Sequence, residues 1–256
     1  SLRHRFRRLW QLAVFSTLLL VVQIVFGGLT VTMKLNPLIV TTHLALGTVF
    51  FQLFALVSIQ RLPREEAPQI QSPQTGSAYR NLILVVLLLT AAQVLLGGYV
   101  GSSGAALACP DFPACFGNYL PSADSKPQIV QMSHRLLGVL VLVGAIVALV
   151  ATRYAAGLPR KRRGHLFGVL FMVTLQICLG IYNVSYQIPV WGTVMHLVVA
   201  QLILLALASF YSELHNQFGL FGQFGLFSRS DTAGETEIPK HSLAEPMAAK
   251  KQVGNL

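Results

Sequence analysis

Long apolar stretches without charge leave this chain few ways to fold. Leu9–Met33, Leu35–Gln60, Asn81–Pro110 and His165–Tyr211 contain no Asp, Glu, Lys or Arg, and Pro127–Thr152 contains only Arg135. A helix needs about 20 apolar residues to cross the hydrocarbon of a bilayer. A turn at Ile188-Pro189 divides the longest stretch, because the residue before a proline is pushed out of the helical region. The expected fold is therefore all-α: a polytopic membrane helical bundle of six transmembrane helices near 9–32, 38–60, 81–100, 128–152, 165–187 and 189–212. The composition agrees, since 11% charged residues is less than half of what a soluble domain carries, roughly a quarter.

Lys and Arg set the expected orientation, because basic loops stay cytoplasmic. The N-terminal "RHRFRR", the segment 61–80 and "RYAAGLPRKRR" hold twelve basic residues, and the alternate connections hold two, Lys34 and Lys126. Both termini are expected in the cytoplasm of a bacterial cell, with the membrane an inner membrane. The net charge of +10 then reflects topology and attraction to anionic lipid, and no nucleic-acid motif accompanies it.

The loop "ALACPDFPACFGNYLP" falls on the outer side, where a disulfide persists. A Cys109–Cys115 disulfide is the simplest reading, with a redox-cycling thiol pair or free cysteines as alternatives. The spacing is unlike the paired cysteines of zinc sites, and the loop has no histidine. Cys178, inside the fifth helix, reads as a small core residue.

The chain repeats itself. "QIVFGGLTVTMKLNPLIVTTHL" from Gln23 and "QICLGIYNVSYQIPVWGTVMHL" from Gln176 align without gaps at an offset of 153, matching Gln, Ile, Gly, Val, His and Leu. Such duplication is common in membrane folds. If the last two helices close a four-helix unit that opens near Tyr79, the first two close an equivalent unit whose opening pair is not in these residues. The expectation is a fragment or short form of an eight-helix protein.

Of seven histidines, His4, His165, His215 and His241 read as solvated or interfacial. His43, His134 and His196 lie at one level, about 7–11 Å inside their helices at 1.5 Å per residue. Ionisable groups inside a membrane are costly and tend to face a bundle interior with a partner. Imidazoles on facing helices can supply the two axial ligands of a heme, and His134 and His196 form the expected pair for a heme b. Zinc or copper fits less well, for want of cysteine or carboxylate at that level. Arg135, beside His134, suits a heme propionate through a charge-assisted hydrogen bond, or lipid headgroups by snorkelling. Gln131, one turn earlier, reads as a polariser of a ligand or a helix cap. Gly27, Gly28, Gly97, Gly98 and Gly180 permit close approach of helices or of a flat ring.

"GGYVGSSGAALACPDFPACFG", then "QMSHRLLGVLVL" and "MHLVVAQL", resemble the second half of the heme A synthase family of cytochrome oxidase biogenesis. "QIVFGGLTV" with "THLALGTVFF" is similar to that family's third and fourth helices, so the resemblance covers roughly residues 10–212. It implies a pseudo-symmetric eight-helix fold, of which this chain carries the second four-helix half plus helices 3 and 4. It also implies oxidation of a methyl group of heme O, the substrate, to the formyl group of heme A. On that basis His134 and His196 are the axial ligands of the C-terminal heme b iron, Arg135 lies beside that heme, His43 is the surviving ligand of the substrate heme, and Cys109 with Cys115 is the second outer-loop pair.

The same resemblance divides the chain into the remainder of an N-terminal half (1–60), a cytoplasmic linker (61–78), a C-terminal heme-binding half (79–212) and a cytoplasmic tail (213–256) expected to be disordered. The "FGLF" repeats at Phe218 and Phe224 read as a membrane-surface contact or an apolar linker. Expected partners are membrane lipid, a heme O donor such as heme O synthase, cytochrome oxidase assembly factors and a second copy in a homo-oligomer. The family's other substrate-side histidine, first cysteine pair and catalytic outer-loop Glu have no counterpart in these residues. Gln131 stands at the pseudo-equivalent of that Glu, Phe112 where Trp is common, and Gly101-Ser102 where a basic residue is often seen. Two other functions remain open: a b-type membrane cytochrome limited to electron transfer, and a heme-free assembly factor.

Overall fold

The computed structural model describes residues 2–60, 73–153 and 160–217. Six long helices follow one another: α1 (Leu2–Thr32), α2 (Pro37–Gln60), α3 (Pro73–Ser102), α4 (Lys126–Ala151), α5 (Arg160–Ser185) and α6 (Val190–Gln217). Each contains a stretch long and apolar enough to cross a membrane. The ends of α1, α3 and α6 overrun the apolar stretches, since a helix continues into water where its backbone bonds are already made internally. Prolines open α2 and α3 and sit second in α4, positions where the missing N–H costs nothing. The Asn36 side chain caps α2 by accepting the N–H of Leu38 at 3.0 Å.

Helices α3 to α6 close a four-helix bundle, in which α3 packs on α4, α4 on α5, α5 on α6 and α6 back on α3. Its interior is layered. Tyr79, Ile83, Ala148, Leu166, Phe210 and Leu214 fill one end. Val86, Val141, Ala145, Val169, Val173, Ile203 and Leu207 fill the middle. Gly144 admits Val86, whose Cγ2 lies 2.9 Å from where a Cβ would stand, the close approach that membrane helices use in place of a hydrophobic driving force. The α1–α2 pair lies outside this bundle: α2 packs on α3 and α6, and α1 packs on α2. Among their described side chains only Ser16 is buried. Trp10, Phe15, Leu18, Ile24, Val31, Phe51 and Phe54 are exposed, an apolar surface suited to lipid rather than water.

The internal repeat is visible in the backbone. Lys34 and Leu35, between α1 and α2, have φ of 51° and 59°; Gln187 and Ile188, between α5 and α6, have φ of 57° and 60°. These pairs are 153 residues apart. Left-handed backbone at a β-branched residue such as Ile188 is rare, so its recurrence at the repeat offset marks a conserved turn geometry within the chain. The hydrogen bonds agree: Leu35 N–H to Thr30 O at 2.8 Å has its counterpart in Ile188 N–H to Asn183 O at 2.7 Å. Val40 N–H to Asn36 O likewise matches Thr193 N–H to Pro189 O, both at 3.0 Å. The helix break expected at Ile188-Pro189 is this turn.

Cys178 is exposed on α5, contrary to its reading as a core residue. In a bilayer the lipid-facing and core-facing sides of a helix are both apolar, so an apolar sequence does not mark which side is inward. His165 sits at the start of α5 with its ring stacked on Phe210, centroids 5.4 Å apart, and Nε2 3.0 Å from Ala206 O. The side chains of His4, His215 and His241 and both "FGLF" repeats lie outside the described residues.

Candidate functional site

Because α2, α4 and α6 run the same way, their first turns lie at one end of the molecule, with the loop that joins α3 to α4. His43, His134 and His196 follow the first residue of these helices by six, eight and six positions, about 9–12 Å along the axis. The level expected from sequence is thus shared by all three.

Each imidazole rests against a glycine on the preceding helix. A Cβ at Gly27 would stand 3.1 Å from His43 Cε1, one at Gly97 3.0 Å from His134 Cε1, and one at Gly180 3.3 Å from His196 Cε1. The missing side chain is therefore the space that each ring occupies. One turn before each glycine stands a glutamine: Gln23, Gln93 and Gln176. Gln93 Nε2 donates to His134 O at 3.0 Å and lies 3.3 Å from His134 Nε2. The Nδ1 atoms of all three histidines and the Oε1 atoms of all three glutamines are buried without a hydrogen-bond partner. Buried polar atoms are ordinarily paired; six unpaired ones, in the same register on three helix pairs, mark a place built to receive another group.

His134 and His196 belong to one bundle. Their helices, α4 and α6, occupy opposite corners of it, with α3 and α5 each packed against both. His43 is the repeat mate of His196, but the α1–α2 pair has no second pair beside it among the described residues to present a matching imidazole. No cluster of three His, Cys, Asp or Glu occurs among the described residues. Imidazoles on diagonal helices, each with Nδ1 unpaired and a glycine beside the ring, fit a heme, which His134 and His196 would hold.

The loop at this end is held firmly. Cys109 and Cys115 form a disulfide, and both are buried. Arg135 Nη2 donates to Cys109 O at 2.7 Å and Nη1 to Ala114 O at 2.6 Å, with the Phe112 ring 5.6 Å from the guanidinium carbon. Gln131, also buried, accepts the Cys109 N–H through Oε1 and donates to Ala106 O at 2.8 Å through Nε2. Asp111 closes a turn beyond, accepting Phe116 N–H at 2.7 Å and Gly117 N–H at 2.8 Å. These bonds, Gly117 first, hold its carboxyl below the ordinary range.

Sequence reasoning matched Gln23 and Gln176 as the first residues of the repeat but gave them no place in the site, and it did not single out Gln93. The signal was Gln-x3-Gly ahead of each histidine; the loop between α3 and α4 hides it by stretching the Gln93 to His134 separation to 41, against 20 in the other two pairs.

Fold and site together define a multi-pass, all-helical membrane protein with duplicated helix pairs and histidines gathered at one end. The chain belongs to the cytochrome oxidase assembly protein family, COX15-CtaA, whose model matches residues 2–208. It is 29% identical over 221 residues to a protein named heme A synthase from Shewanella oneidensis, covering 78% of this chain and 65% of the relative. It is 31% identical over 154 residues to a heme A synthase from Methylobacterium radiotolerans, covering 55% of this chain and 41% of the relative. A third, from Shouchella clausii, is 31% identical over 138 residues, covering 52% and 45%. The chain thus spans between about two fifths and two thirds of the length of these relatives.

Proposed function

We propose that the chain carries the heme b half, and part of the substrate half, of a heme A synthase, an enzyme that oxidises a methyl group of heme O to the formyl group of heme A. The observation that carries this reading is the His134–His196 pair on diagonal helices, each ring set against a glycine and each Nδ1 buried and unpaired. His134 and His196 would hold the iron of heme b, and Arg135 would lie at its edge. That heme would supply electron transfer. His43 would hold heme O from the α1–α2 side, so a complete substrate site needs a second imidazole from beyond the described residues.

Family membership and the relatives' names support the reaction, and the distribution of basic residues supports placement in the bacterial inner membrane. Both termini are then cytoplasmic and the Cys109–Cys115 loop lies outside. The reaction would take heme O from a donor such as heme O synthase and release heme A to cytochrome oxidase assembly factors. The lone His43 favours a second reading, electron transfer through one heme b with no formyl product.

The test is extraction and chromatography of the heme carried by the chain purified from cells that make heme O. Heme B together with heme O or heme A supports the synthase. Heme B alone, one per chain, supports the electron carrier.

A further inference from the structure

The pseudo-equivalent of the family's acidic outer-loop residue is Gln131, and the hydrogen bonds show why an amide stands there. Its Oε1 accepts the N–H of Cys109 while its Nε2 donates to the carbonyl of Ala106. A carboxylate accepts only, and would turn an oxygen on the Ala106 carbonyl. Arg135, one turn later on α4, takes the carbonyls of Cys109 and Ala114. Cys109 is therefore fixed at its N–H by Gln131, at its carbonyl by Arg135 and at its sulfur by Cys115. His134 lies between these two residues on the same helix.

We infer that Gln131 and Arg135 are positioning residues: they lock the disulfide loop onto the first turns of α4 and so set the placement of His134, with Gln131 required as an amide. That Gln131 acts on the heme site rests on the proposed function; the loop lock does not. The amide holds the Ala106–Cys109 turn and Arg135 ties Cys109 to Ala114, so loosening the lock is expected to open the buried disulfide to a reductant.

Gln131→Glu tests it, because a protonated carboxyl both donates and accepts, as the amide does, whereas its anion cannot. Along the sequence, the ionisable groups at this end of α3 to α5 and in the loop are Tyr99 on α3, Asp111, Tyr119 and Asp124 in the loop, Lys126, His134 and Arg135 on α4, and Tyr182 and Tyr186 on α5. As an anion the new carboxyl also draws Arg135, at the favourable i+4 spacing, off the loop carbonyls. The Asp111 carboxyl is held below the ordinary range by the Gly117 and Phe116 amides, and its turn is common to all the proteins compared.

The measurement is the rate at which a phosphine reductant exposes the Cys109 and Cys115 thiols to alkylation in purified protein, relative to the unsubstituted chain, between about pH 8 and about pH 3, more than a unit below the free Glu value of roughly 4.3. Gln131→Glu is expected to be reduced about tenfold faster at the alkaline end, the effect of losing one buried hydrogen bond, and to return to the reference rate at the acid end. Gln131→Met is expected to stay fast throughout. Equal rates for all three proteins, or an excess for Gln131→Glu that acid does not remove, would overturn the lock. In heme-loaded protein the midpoint potential is expected to follow the same acid-reversible course. A potential unmoved while the reduction rate responds would overturn the positioning of His134. If the unsubstituted protein carries no heme, the reading of the site fails, and the reduction rates still decide the lock.

Discussion

Gln201 donates a hydrogen bond from Nε2 to Thr48 Oγ1 at 2.8 Å, and these residues are 153 positions apart, so each is the repeat mate of the other. Their contact lies where the duplicated helices α2 and α6 meet, on the pseudo-twofold relation between the two parts of the molecule. Gln52 adds bonds from Nε2 to the Gln201 carbonyl at 3.0 Å and to Gln201 Oε1 at 3.1 Å.

That network is the main polar attachment of the α1–α2 pair to the four-helix bundle among the described residues, beside a bond from Ser102 Oγ to Pro37 O at 3.5 Å. Interhelical hydrogen bonds in membranes contribute about 0.6 kcal/mol each on average, and up to about 1.7. Gln201→Leu is expected to lower the unfolding midpoint in detergent by a few degrees and to speed proteolysis of the connection between α2 and α3. Unchanged melting and cleavage would show that apolar packing alone holds the pair.

The glycines beside the histidines should resist a methyl group in proportion to the space each lacks. Gly97→Ala places a Cβ 3.0 Å from His134 Cε1, and Gly180→Ala one 3.3 Å from His196 Cε1; overpacking of this kind costs about 1–3 kcal/mol. Gly28 has nothing within 4 Å. Heme content is expected to fall most for Gly97→Ala, less for Gly180→Ala, and not at all for Gly28→Ala. A loss at Gly28 equal to that at Gly97 would contradict the ring-clearance account.

Burial also orders the cysteines. Cys109 and Cys115 are 0% and 3% exposed, whereas Cys178 is exposed on α5. Mass spectrometry of folded, unreduced protein treated with a lipid-soluble maleimide should find one label, at Cys178. Denaturation with reductant should raise this to three. Labels at Cys109 and Cys115 without reductant would disprove the bridge.

Asp111 gives the loop an acid limit. Its folded-state pKa is depressed by the Gly117 and Phe116 amides, so its contribution is complete above the unfolded value and is lost as pH falls through the lower, folded value. Amide exchange at Phe116 and Gly117 should rise only below the ordinary carboxylate range. Asp111→Asn should raise exchange at neutral pH. Flat exchange across the acid range would rule out the carboxylate as the anchor.

The helices were legible in the sequence because hydrocarbon demands long uncharged runs, and Pro189 marked the break. His43, His134 and His196 stood out because imidazoles are rare within such runs. The glutamines did not, since an amide among apolar residues has no register of its own until helices are paired. Arg135 was read as facing an anion; the carbonyls it holds come from a loop some twenty residues earlier, and chain reversal of that kind leaves no local mark. Cys178 was misplaced because lipid and protein core call for the same residue types.

On the proposed function, His134 and His196 together ligate one heme. The most direct measurement is the oxidised and reduced visible spectrum of the purified chain beside its His134→Ala and His196→Ala variants. The unsubstituted chain is expected to show a six-coordinate, low-spin heme b spectrum that both substitutions abolish. A spectrum unchanged in either variant would contradict it.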